Sequence, residues 1–320
     1  MEFKAETETA ATQASLFDLP SPSQLWDEES AKHALDDLFN ATRKYRSAGS
    51  YKELMEFVSR FRFYSPYNSF LIHVQRPGAR YVAPSYRWKR QFGRIIRSNA
   101  SPIVILQPMG PVMFVFDVSD TEPGPDAKPL PPEVEDPFAV YEGRVGAELG
   151  RTIENAKRDG IRILKQNLGS QAAGSIQHAS SPNLSPLQVC AGTDSSGLKK
   201  YIAVPVRYDL LYNQNMADEA AYVTIVHELA HLYCGHLGTP NRNWWPDRRG
   251  LDRSEGEFEA ESAAYLVCAR LGIHSPSEEY LSGYLGRNRE IPQISLECVL
   301  KSAGLIEKMG RALLKPRKKN

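Results

Sequence analysis

Residues 222–236 read YVTIVHELAHLYCGH, and within them His227-Glu228-Leu229-Ala230-His231 is an HExxH pattern. On a helix, two histidines four residues apart sit about 40° apart around the axis, so both imidazoles reach one ion from one face. Zinc takes neutral imidazole nitrogens readily, and a catalytic zinc site keeps one coordination position open for water. Glu228 directly follows the first histidine, where it is placed to take a proton from that water. The apolar, β-branched lead-in at residues 221–226 would bury the helix. Two histidines and a carboxylate on such a segment are costly without a partner, and a metal ion supplies one. The competing account is a pair of core histidines satisfied by hydrogen bonds.

The position of a third protein ligand separates the zinc classes. His236 falls about 180° from His227 on a continuous helix, and Gly235 is expected to end that helix. His236 therefore reads as a helix-end residue. The spacing also misses the HExxHxxGxxH pattern, because the glycine and the last histidine are out of register. Downstream, residues 255–273 read EGEFEAESAAYLVCARLGI, a helix with small residues on one face. Glu257 and Glu261 share a face, while Glu259 points about 200° away from Glu257. Glu257 is the first choice as ligand, with Glu261 orienting a ligand histidine; Glu261 and then Glu259 are the alternative ligands. Glu255 and Glu259 otherwise read as a solvated, acidic first turn.

A chain of 320 residues with a net charge of +1 is long enough for about two domains and a sizeable core. The four cysteines, Cys190, Cys234, Cys268 and Cys298, form no CxxC pair, which points to buried free thiols in a reducing compartment. No apolar run approaches membrane-spanning length and the start lacks a secretory pattern, so a cytoplasmic protein without a membrane partner is expected. Nothing in the sequence sets the oligomeric state.

The expected fold class is α+β. Residues 1–23 read as a disordered lead, 24–119 as a small α+β module, and 120–136 as a proline-rich, acidic linker. Residues 137–314 read as a second domain with a small sheet and the helices of the HExxH site, and 315–320 as a basic tail. Helices are expected over 25–47, 51–63, 68–74, 144–168, from 218, over 255–273 and through 278–314. Strands are expected at 81–82, 103–107, 112–118, 172–178, 187–191 and 201–206. A sheet edge followed by the HExxH helix is the order that suits a cleft binding an extended peptide.

Between Glu56 and Asp117 there is no acidic residue, while Arg60, Arg62, Arg76, Arg80, Arg87, Lys89, Arg90, Arg94 and Arg97 all fall in that window. Phe63, Tyr64, Tyr67, Tyr81, Tyr86, Trp88 and Phe92 are interleaved with them. Positive charge follows a phosphate backbone and flat rings stack on unpaired bases, which makes a platform for single-stranded nucleic acid. Arg76, Arg80, Arg87, Trp88, Lys89, Arg90 and Arg94 are the candidate contacts. The alternative is a basic surface over an ordinary aromatic core.

The C-terminal half, with HELAH, then EFEAESAAYLVCARLGI, then YLSGYL and a final amphipathic helix, resembles the metallopeptidase domain of ArdC-type antirestriction proteins. More distantly it resembles the ImmA/IrrE metallopeptidases. The stretch FYSPYNSFLIHVQRPGARYVAPSYRWKRQFGR, followed by strands ending in VFDVSDTE, looks like the single-stranded-DNA-binding domain that precedes the peptidase in the ArdC type. The residues after the second histidine, LYCGH, depart from the HWTGH of ArdC itself and come nearer to the ImmA/IrrE type. The resemblance implies a zincin-like domain with zinc on His227 and His231, and with Glu228 as general base. Its ExxA(D/N/E) element matches residues 257–261, implying Glu257 as third ligand and Glu261 as its helper. A protein or peptide would be the substrate. A DNA-masking protein with structural zinc, or a regulatory peptidase that cleaves a repressor, are the other functions to weigh. Tyr265, Tyr280 and Tyr284 are oxyanion-donor candidates by proximity in sequence, and none is assigned.

Overall fold

Ser47 sits in an extended conformation with its hydroxyl accepting from the Ser50 amide, a cap that starts helix α1 (Ala48–Arg60). Ser65 caps α2 (Pro66–Gln75) in the same way, with Pro66 in the first turn, where its missing N–H costs nothing. The structure is a computed structural model that describes residues 45–107, 110–130, 143–168, 173–181, 184–193 and 196–317. The expected lead at 1–23, the expected helix at 25–47 up to residue 44, residues 131–136 of the expected linker, and 318–320 of the tail lie outside the described residues.

After α2 come β1 (Val82–Ala83), α3 (Ser85–Phe92), β2 (Arg94–Ile96), β3 (Ile103–Gln107), β4 (Gly110–Asp117) and β5 (Thr121–Pro123). Strands β1, β4 and β3 form an antiparallel sheet in that order, and β2 pairs with β5 as a ribbon. Helix α3 falls between the expected strands at 81–82 and 103–107, where the sequence suggested no helix. Its apolar pair Trp88 and Phe92, four residues apart, shares one face and packs with Tyr81, Ala83 and Val118. Gly93 ends the helix in the left-handed region at φ 61°, where an added Cβ would lie 2.1 Å from the Asp126 carbonyl oxygen.

The second part runs α4 (Ala147–Ala156), β6 (Ile161–Gln166), β7 (Gly174–His178), β8 (Leu187–Thr193), β9 (Lys199–Val204), β10 (Tyr208–Asn213), α5 (Asp218–Tyr233), α6 (Arg253–Leu271), α7 (Pro276–Arg287) and α8 (Leu296–Arg311). The expected helix over 144–168 stops early. Gly160, at φ 80° and with a Cβ position 2.6 Å from the Pro205 carbonyl oxygen, turns the chain into β6. Strand β10, which the sequence reading did not include, is the centre of the sheet β6-β10-β7, parallel to β6 and antiparallel to β7. It carries Asp209, whose charge is answered across the strands by Arg162 at 2.8 and 3.0 Å. Strands β8 and β9 form a separate ribbon.

Helices α5 and α6 are buried along most of their length and form the centre of the helical layer. Small residues on α6, including Ala260, Ser262, Ala263 and Ala264, are buried and let α5, α7 and α8 approach. Helix α1 belongs to this layer as well. Tyr51 packs on Phe258 and donates its hydroxyl hydrogen bond to Ser262 at 2.7 Å. Arg270 of α6 is buried and donates to the Val58 and Phe61 carbonyls at the end of α1, at 2.7 and 2.9 Å, and to Tyr64 at 2.5 Å. Glu307 of α8 holds the same guanidinium at 2.7 Å. Residues Tyr45–Asn320 form one compact unit, so helices expected to belong to a separate N-terminal module are built into the packing of the HExxH helices. Among the described residues no helix is long and apolar enough to cross a membrane.

Candidate functional site

Helix α5 carries His227 and His231 one turn apart, and α6 packs beside it with Glu257 and Glu261 on the facing side. Between the two histidines the Nε2 atoms are 3.1 Å apart, and Glu257 Oε2 lies 3.7 Å from one and 3.6 Å from the other. The centre of this triangle is about 2.0 Å from each atom, and a point out of its plane with tetrahedral angles is about 2.1 Å from each, the range of zinc–nitrogen and zinc–oxygen bonds. The edges match those of a tetrahedron built on such bonds, about 3.4 Å. His227, His231 and Glu257 are all partly open to solvent, which leaves room for a fourth ligand.

The outer atoms of both rings are fixed so that these inner nitrogens carry lone pairs. His227 Nδ1 faces Glu261 Oε2 at 3.6 Å, and Ser277 on α7 hydrogen-bonds that carboxylate. His231 Nδ1 is 2.9 Å from His236 Nδ1, and His236 Nε2 is 2.9 Å from Glu259 Oε2. Glu259 is fully buried and accepts from Arg248 at 2.5 and 2.7 Å and from the Ser295 amide at 2.6 Å. Burial opposes its charge, but His236, Arg248 and Ser295 outweigh burial and hold its carboxyl below the usual range. An ionised Glu259 only accepts, so His236 carries its proton on Nε2 and offers Nδ1 as an acceptor. His231 must then donate from Nδ1, which leaves Nε2 as a lone pair toward the centre of the triangle. Two lone pairs and a carboxylate oxygen converging on one point fit a divalent cation.

Glu259 is thus not part of the solvated first turn that the sequence suggested, and His236, just past the helix end as expected, is also a partner of His231. The αL turn at Gly235, φ 90°, ends the helix as expected but swings His236 back against His231. Cys234, His236 and Glu259 also cluster closely enough to suggest a metal. Both nitrogens of His236 are engaged, Arg248 takes both oxygens of Glu259, and Cys234 donates to Ser302 at 3.3 Å. That cluster is a satisfied network that supports the first triangle.

Glu228 points to the sheet. The Ala179 amide donates to the Arg207 carbonyl and the Asn213 amide to the Ala173 carbonyl, so the odd-numbered residues of β7 bond to β10. Gly174, Ile176 and His178 turn their backbone N–H and C=O toward the outer edge. The Glu228 carboxylate accepts from the Ile176 backbone. Burial raises its pKa above the usual carboxylate value, partly countered by His227 and His231. Burial also works against charge on His227, but Glu261, Glu228 and Glu257 overcome it and hold its pKa up, so the pocket favours positive charge where the metal would sit. The tyrosines separate by position. Tyr265 donates toward Ser59 at 3.4 Å, Tyr284 packs on Phe258, and half-exposed Tyr280 is the one whose pKa is raised by burial and then by Glu261 and Glu257.

The basic segment divides in two. Arg76 is paired with Asp120, and Arg94 donates to the Thr121 hydroxyl and carbonyl at 2.6 and 3.0 Å, so both hold the fold together. Trp88 is 0 % exposed and donates to the Phe116 carbonyl; a ring so enclosed cannot stack on a base, and its place among the nucleic-acid contacts is withdrawn. Arg80, Lys89 and Arg90 are exposed, and Arg87 lies along Gln91. The open rings are Tyr86 at 62 % and Phe63 at 46 %. The spacing of Trp88 and Phe92 is the signal that separates the core ring from Tyr86 on α3.

No protein-family model matches the chain, and neither curated proteins nor solved structures provide a match.

Proposed function

We propose that the chain is a zinc-dependent metallopeptidase whose basic segment binds single-stranded DNA. The observation that carries the reading is the donor triangle of His227, His231 and Glu257, sized for zinc, with Glu228 on the next residue facing an open sheet edge. The resemblance to the ArdC and ImmA/IrrE types agrees with it.

Zinc held there would supply Lewis acidity, polarising a carbonyl and acidifying water. The protein residues do the rest. An extended peptide adds to β7 through the outward N–H and C=O groups of Gly174 and His178 and the Ile176 carbonyl, the Ile176 N–H being taken by Glu228, which aligns its backbone with the triangle. Glu228, with its pKa raised by burial, takes the proton of the attacking water and returns it to the leaving amine. Glu261 and the His236–Glu259 pair hold the two ligand rings in orientation. Phosphates would follow Arg80, Lys89 and Arg90, with Tyr86 and Phe63 offering faces to unpaired bases.

The test is intact-mass analysis of zinc-loaded protein, with and without single-stranded DNA, alone and with an added DNA-binding protein. Cleavage that disappears in Glu228→Gln while zinc remains bound is the expected result. Tight DNA binding with no cleavage in either form would favour the masking protein instead.

A further inference from the structure

A cavity of about 340 Å³ opens beside the proposed cleft, between the end of β7 and the turn that follows α5. Both walls lead back to the site. His178 lies two residues beyond Ile176, whose backbone meets Glu228, and at about 3.3 Å per residue that is roughly 7 Å along the strand. On the other side, Leu237 directly follows His236, the residue bonded to His231, and its carbonyl lies 3.0 Å from His178 Nε2. A peptide lying along β7 therefore passes this cavity about two residues from its scissile bond.

The charge in the cavity is one-sided. Arg207 lines it with no ion-pair partner among the described residues. Its guanidinium lies 5.8 Å from the centre of the Trp244 ring, a weak substitute for a carboxylate. Arg249 lines the opposite side, pressed against Gly238, where an added Cβ would meet its Nε at 2.8 Å. The nearby carboxylates are already paired, Asp247 with Arg249 itself and Asp159 with residues outside the cavity. Asp247 takes both Nε and Nη2 of Arg249, at 2.9 and 2.7 Å. Asp159 takes Arg317 at 2.6 and 3.1 Å, the Tyr233 hydroxyl at 2.9 Å, and lies 3.5 Å from Arg158. Two carboxylates against Arg158, Arg207, Arg249 and Arg317 leave an excess of positive charge. Tyr208 lines it with its ring 5.2 Å from His178; burial raises its pKa, Arg207 and Arg249 act to lower it, and Asp159 and Asp247 add to the rise. Arg207 and Arg249 thus both line the cavity, with Tyr208 beside His178 at the end of β7.

We propose that this cavity is a carboxylate subsite of the cleft, in which Arg207 and Arg249 select a peptide bearing an Asp or Glu side chain, or its own C-terminal carboxylate, about two residues from the cleaved bond. A lone guanidinium beside a partly dehydrated cavity forms a charge-assisted bond to carboxylate, and a neutral amide in the same place gains less. The inference rests on the peptidase reading.

The test uses zinc-loaded full-length protein carrying Glu228→Gln, so that binding is read without cleavage. Fluorescent peptides are compared in pairs, Glu against Gln at each position in turn, with the C-terminus free or amidated. One position should favour Glu by about 10-fold or more, and Arg207→Gln should bring that ratio to about 1. A gain that follows the free C-terminus would assign the carboxylate to the chain end; one that persists on amidated peptides would assign it to the side chain. Arg249→Gln, at an exposed position, reads the same ratio if Arg207→Gln loses zinc and with it the fold. Equal binding at every position and with either terminus, or a ratio that survives both substitutions, overturns the subsite and leaves the peptidase reading intact. No peptide binding at all overturns both.

Discussion

Replacing His236 with Phe keeps a flat ring between His231 and Glu259 but removes both nitrogens that connect them. Without metal, His231 can move its proton to Nε2 and donate across the 3.1 Å gap to His227, so the free protein loses only the His236–Glu259 bond, with Arg248 and Ser295 still holding Glu259. With metal that choice is gone. His231 must hold its proton on Nδ1, 2.9 Å from where the acceptor was, in a largely enclosed position. An N–H left without a partner in such a place costs about 1–3 kcal/mol. At about 1.4 kcal/mol per decade, zinc should bind roughly 5- to 150-fold more weakly, in line with the 10- to 100-fold typical of lost outer contacts. Competition against a chromophoric chelator at fixed pH measures the loss, with circular dichroism to confirm the fold. Glu261→Gln should cost less, because its 3.6 Å approach to His227 is looser. A folded His236→Phe protein with wild-type zinc affinity would refute the argument that the His236–Glu259 pair sets the His231 tautomer.

The other expectations concern separate parts of the molecule. Arg270→Met should destabilise the protein by about 3–5 kcal/mol in urea unfolding, because it leaves Glu307 and the carbonyls of Val58, Phe61 and Tyr64 without their cation; a loss under about 1 kcal/mol would mean that this lock is dispensable. Tyr86→Ala should weaken single-stranded DNA binding by about 1–3 kcal/mol with the fold unchanged, whereas Trp88→Ala should cost about 3–5 kcal/mol of stability; the reverse pattern would place the wrong ring in the core. Glu259 has a depressed pKa, so the stability it contributes is present above the ordinary carboxylate value of 4.5 and is lost as pH falls through its lower folded value. The stability gap between wild type and Glu259→Gln should therefore close in acid, and a gap that is constant from neutral pH to about pH 3 would contradict the charged network.

Helix α5 and the face shared by Glu257 and Glu261 were legible because they depend on spacing within a single helix. The pairing of His236 with Glu259 was not, because it depends on the αL turn at Gly235 and on Arg248 arriving from the following loop, neither of which has a periodic signature. Viewed along α6 alone, Glu259 points away from the metal face; in the folded protein that direction leads to His236. Strand β10 was missed because an Asp sits within its apolar run, and the partner that makes Asp209 tolerable, Arg162, lies on a strand expected to be helical. Trp88 was grouped with the open rings because its neighbours are basic, yet its spacing to Phe92 marks the core face. The docking of α1 on α6 rests on Tyr51 and on a long-range arginine, Arg270, which reads in sequence as an ordinary basic residue at a helix C-terminus.

The most direct measurement is X-ray absorption at the zinc edge on protein loaded with one equivalent of zinc. The His227, His231 and Glu257 site predicts a first shell of nitrogen and oxygen alone at about 2.0–2.1 Å, with the outer scattering of two imidazoles. Sulfur at about 2.3 Å would move the metal to the Cys234 cluster, and failure to retain zinc would remove the metal from the account altogether.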